Sequence, residues 1–151
     1  MTTPAFDVLG TPGRRRAPEF ADAEHMTQVN VRMPRELHSQ FRLMAAVQDS
    51  SLSTLIVQAD EAFAKASPWR NGFEIERPRA LPSRQNKGQG AENWMLAAAY
   101  VGVNHKAAML QHCEVLQHDF AGTISLASYL YNACRWYARD NTPAVRQRRR
   151  G

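Results

Sequence analysis

The sequence predicts a mainly α chain: one short strand, two amphipathic helices, a linker and a further helical unit, with the strand completed by a second copy in an intertwined dimer. Three observations carry this reading. Apolar and polar residues alternate strictly over 27–33, two apolar stripes at helical spacing start from Leu37 and Leu52, and residues 91–140 are rich in Ala, Leu, Met and aromatics without a proline.

In TQVNVRMP, Val29, Val31 and Met33 fall on one face and Gln28, Asn30 and Arg32 on the other, the period of a half-buried strand. Even a two-stranded ribbon is marginal in water, and no second strand of comparable quality is readable in the chain. The expected partner is therefore the same strand of another subunit. A partner strand within the chain would remove that ground for a dimer and for the nucleic-acid reading built on it.

Pro34 suits the first turn of a helix because its fixed φ and missing N–H cost nothing there. Leu37, Phe41, Met44 and Ala45 then make an apolar stripe on a helix expected to end near Asp49. Ser50 and Ser51 supply turn and capping chemistry for a second helix, whose stripe is Leu52, Leu55, Ile56, Ala59, Ala62 and Phe63. One strand and two short helices cannot close a core, but two interleaved copies can. The expected dimer core is Val29, Val31, Met33, Leu37, Phe41, Leu55, Ile56, Ala59 and Phe63.

The order of strand, proline and two helical stripes resembles the Arc/MetJ/CopG ribbon-helix-helix family of DNA-binding proteins, through Gln28-Val29-Asn30-Val31-Arg32-Met33-Pro34-Arg35-Glu36-Leu37 and Ser51-Leu52-Ser53-Thr54-Leu55-Ile56. The match covers about forty residues. It implies an obligate homodimer, with higher oligomers on DNA conceivable, whose antiparallel ribbon enters the major groove of double-stranded DNA. Gln28, Asn30 and Arg32 would face base edges, and the first N–H groups of the second helix, at Ser51, Leu52 and Ser53, would hold backbone phosphate. The resemblance also implies a bacterial, phage or plasmid-encoded repressor. The alternative is a plasmid partition or conjugative-transfer (relaxosome) accessory protein, or an antitoxin, that recruits a protein partner through its second half. Where the family often has glycine before the second helix, this chain has Asp49 and Ser50, and Asp tolerates the left-handed conformation better than most residues.

Charge is distributed unevenly. The net charge is +5, yet residues 27–66 balance 4 basic against 4 acidic groups, while 67–90 carry 5 against 2 and 141–151 carry 4 against none. Residues 1–26 read as a flexible arm, 27–66 as a DNA-binding domain, 67–90 as a basic linker, 91–140 as a separable helical domain for oligomerisation or partner binding, and 141–151 as a basic tail.

In 91–140, Leu110, Cys113, Leu116, Phe120, Ile124, Ala127, Leu130, Cys134 and Tyr137 suggest one long buried helical face. Gly102-Val103-Asn104 admits a helix-turn-helix, and His105, His112, Cys113 and His118 admit a metal site, but their spacings lack an i, i+4 ligand pair. No internal repeat is evident. Cys113 and Cys134 show no paired spacing, so a reduced, cytoplasmic chain is expected, with neither export signal nor membrane span. No glycine-rich phosphate loop, G-x-S-x-G elbow, HExxH or acid pair is readable, so neither catalysis nor a cofactor is expected.

Overall fold

The structure, a computed structural model, describes residues 25–79, 81 and 93–141. It is mainly helical around one two-stranded antiparallel sheet. β1 (Met26–Pro34) buries Val29, Val31 and Met33, as the alternation requires.

Pro34 caps α1 (Arg35–Val47), which buries Leu37, Phe41, Met44 and Ala45. The helix closes where Asp49 adopts φ 55°, and the Ser50 and Asp49 N–H groups donate to the carbonyls of Ala45 and Ala46. Asp49 thus takes the left-handed position that ends a Schellman-type cap, as its tolerance of that conformation allows. Ser51 caps α2 (Leu52–Ala66), its Oγ accepting from the Thr54 N–H at 3.1 Å. A 3-10 turn (Pro68–Asn71) follows.

The second half opens with a strand. β2 (Trp94–Gly102) precedes α3 (Val103–Phe120) and α4 (Leu126–Asn141), so the order β-α-α occurs twice in one chain. β2 is also the partner of β1, in a register running from Met26 opposite Gly102 to Pro34 opposite Trp94. The expectation of a twin strand from a second subunit is corrected: β1 pairs with a strand of its own chain. The middle pair is Asn30 opposite Ala98, and the register is symmetric about it. Pro34 and Gly102, 68 positions apart, each cap the helix that follows their strand.

On the inward side Val29 stands opposite Ala99 and Val31 opposite Ala97, and with Met33 and Val101 they join Phe41, Leu55, Ile56, Phe63, Met109, Leu116, Tyr129 and Leu130 in one core. Every residue expected in the dimer core is buried, but inside a single chain. Separable units at 27–66 and 91–140 therefore give way to two interleaved halves. Phe63 shows how tightly they interlock: its ring lies 5.6 Å from Tyr129, 5.7 Å from Trp136, 5.1 Å from Trp69 and 5.8 Å from Phe73, centroid to centroid. Such pairs add to simple area burial.

Part of the expected linker is built into the fold. The buried Asn132 amide receives the Glu76 N–H at 2.9 Å and donates to the Glu76 carbonyl at 2.8 Å, while the Arg135 guanidinium donates to the Glu74 carbonyl and lies over the Phe73 ring. The arm to residue 24, the linker positions 80 and 82–92, and the tail from 142 lie outside the described residues. The helix-turn-helix reading fails because Gly102 ends a strand. The single buried face is also interrupted, since Leu110 and Phe120 are exposed.

Burial sets an alkaline limit on the fold. It pushes the Cys113 and Cys134 thiols above their ordinary value of 9 and raises the Tyr129 phenol, with Glu114 reinforcing the shift at Cys113 and Asp60 at Cys134 and Tyr129. Burial and then Glu76 push Tyr131 up to about 12 from 10. All four hold their protons more tightly when folded. Their contribution is complete below the unfolded values of 9 and 10 and is lost as pH rises through the folded ones. The urea midpoint should accordingly fall between about pH 8 and about pH 11; an unchanged midpoint would show that these groups titrate alike in both states.

Candidate nucleic-acid interface

The outward face of the ribbon follows from strand geometry. With Val29, Val31 and Met33 inside, Gln28, Asn30 and Arg32 must point away from the core. Gln28 and Asn30 are exposed and Arg32 is half-buried, and the Gln28 amide donates to the Asn30 Oδ1 at 2.7 Å. The three expected base-reading residues thus share one surface. On β2 the matching positions are Leu96, Ala98 and Tyr100, with Leu96 46% and Tyr100 58% exposed.

The expected phosphate-binding segment lies beside this face. The Tyr100 N–H donates to the Ser53 Oγ at 3.0 Å, which ties the first turn of α2 to the edge of β2. Ser51 secures the same turn through its bonds to the backbone and side chain of Thr54. Between ribbon end and helix start lies an open groove of about 850 Å³, whose lining includes His25, Ser51, Ser53, Tyr100, Asn104 and His105. Gln28, Asn30, Arg32, Ser51, Leu52 and Ser53 are therefore arranged around one end and one face of the sheet.

Sequence reasoning missed the β2 positions and the second serine-started helix. In Ser125-Leu126-Ala127-Ser128, the Ser125 Oγ accepts from the Ser128 N–H at 3.1 Å and its carbonyl from the Tyr129 N–H at 2.9 Å, the same bonds that Ser51 makes. The signal was readable as a second Ser-Leu-x-Ser/Thr before an apolar stripe.

On α1, His38 has its pKa lowered by burial and then by Arg42 and Arg35, so it favours the neutral ring. The histidines weighed as metal ligands are otherwise engaged or apart. His112 Nδ1 sits 2.9 Å from the Asp60 carboxyl, the Cys113 thiol donates to the Ile124 carbonyl, and among the described residues no group of three or more His, Cys, Asp or Glu side chains is placed to hold a metal ion. None of the described helices is long and apolar enough to cross a membrane.

No family model, curated protein or solved structure matches the chain.

Proposed function

We propose that this chain is a sequence-specific DNA-binding protein that lays an intramolecular β-ribbon in the major groove and acts as a transcriptional repressor. One observation carries the reading: a two-stranded antiparallel ribbon turns Gln28, Asn30 and Arg32 outward, with the serine-capped start of α2 tied to its edge. The major groove admits a two-stranded ribbon, Arg can bridge guanine O6 and N7, and Gln or Asn can bridge adenine N6 and N7. A helix start beside it offers N–H groups and positive dipole to a phosphate.

The second strand of the ribbon comes from a second β-α-α unit of the same chain, not from a second subunit. Two such units in one chain supply both strands and both helix pairs that the ribbon-helix-helix arrangement takes from two subunits. One chain is then the DNA-binding unit.

Arg32→Ala should cost about 1–3 kcal/mol at one base position and relax preference there, while leaving binding to random duplex nearly unchanged. Titration of cognate and scrambled duplexes at several salt concentrations checks this; equal loss on both would remove the base-reading role. Footprinting on genomic fragments then separates a promoter site from a transfer origin or a centromere-like repeat.

A further inference from the structure

A ribbon made from two copies of one strand presents the same residues to both halves of its site. Here the two strands differ at every outward position. At one end Gln28 stands opposite Tyr100, at the middle Asn30 stands opposite Ala98, and at the other end Arg32 stands opposite Leu96. Under the two-fold symmetry of the register, Tyr100 occupies the position that a copy would fill with a second Arg32. Leu96 likewise replaces a second Gln28, and Ala98 a second Asn30.

The chemistry of the two ends therefore diverges. One end offers a guanidinium beside an exposed Leu, groups suited to guanine O6 and N7 and to a thymine methyl. The other offers a carboxamide beside a phenol, suited to adenine and to a single donor or acceptor, and neither of these two ribbon side chains is a cation that could bridge a guanine. The middle offers one carboxamide and a methyl where a symmetric ribbon has two carboxamides. Nine residues of strand span about 30 Å, so all six side chains fall within about nine base pairs.

We infer that the duplex bound by this chain is non-palindromic: one chain reads a guanine-containing half-site with Arg32 and Leu96, and a chemically different half-site with Gln28 and Tyr100. The inference rests on the DNA-binding reading above and goes beyond it by fixing the symmetry of the target. Leu96, Ala98 and Tyr100 become specificity-determining residues.

The test is selection from random duplexes with the full chain, collecting complexes that native mass measurement shows to hold one chain. The selected motif should lack two-fold symmetry and fix guanine in one half only. The triple variant Leu96→Gln, Ala98→Asn, Tyr100→Arg makes the two outward rows alike without touching a buried position, and its unfolding midpoint verifies the fold. It should prefer a palindrome built by inverting the Arg32 half-site about ten- to a hundredfold more than the parent chain does. A palindromic motif bound by one parent chain, or a triple variant with the parent's preference, overturns the inference and leaves DNA binding standing. Failure of the parent chain to enrich any duplex overturns the DNA-binding reading and this inference together.

Discussion

A chain ending at residue 90 should fail to fold. It keeps the strand, the two stripes and the resemblance to a known DNA-binding arrangement, yet it loses β2, the partner of β1 among the described residues. It also loses Met109, Leu116, Tyr129 and Leu130, all with 0% exposure. Large apolar side chains contribute about 1.5–3 kcal/mol each on full burial, so these four alone approach the whole stability of a domain, about 5–15 kcal/mol. Circular dichroism and a urea titration of residues 1–90 should show no cooperative transition. A fragment that folds as a dimer would show instead that β1 pairs with its own copy and that the second half is dispensable.

The first half was legible because each of its elements obeys one period. Val29, Val31 and Met33 alternate against polar neighbours, and Leu37, Phe41, Met44 and Ala45 keep a helical step, so each pattern names its own buried face. β2 escaped because Leu96, Ala98 and Tyr100 point outward without being polar, leaving Trp94-Met95-Leu96-Ala97-Ala98-Ala99-Tyr100-Val101 as an unbroken apolar run. Three consecutive alanines, strong helix formers, reinforced the wrong period.

The repeat escaped for a related reason. The strand ends lie 68 positions apart (Pro34 and Gly102), but the cap serines Ser51 and Ser125 lie 74 apart, because α3 has 18 residues where α1 has 13 and the following turn differs. No constant offset aligns the halves. Of the interface, Gln28, Asn30 and Arg32 followed from alternation alone, whereas Tyr100 and Leu96 needed the register between strands, which pairwise contact fixes and local pattern does not.

Asp60→Ala should be among the most destabilising single substitutions. Asp60 is 2% exposed on α2, and its carboxyl accepts the Tyr129 O–H from α4 at 2.9 Å and sits 2.9 Å from the His112 Nδ1 of α3. Three helices drawn from both β-α-α units therefore meet at one side chain. Burial, and then Asp60 itself, holds the Tyr129 phenol above its ordinary range, so it remains a donor. Removing the acceptor strands a fully buried hydroxyl, and a buried polar group without a partner costs more than its hydrogen bond contributed. The expected loss is about 2–4 kcal/mol, read from urea midpoints at constant slope. Tyr129→Phe should cost about 1 kcal/mol, and Asp60→Ala combined with Tyr129→Phe should destabilise less than the two single changes together, because no Tyr129 hydroxyl is then left without its acceptor. Strict additivity would mean that the hydroxyl and the carboxyl act independently of each other.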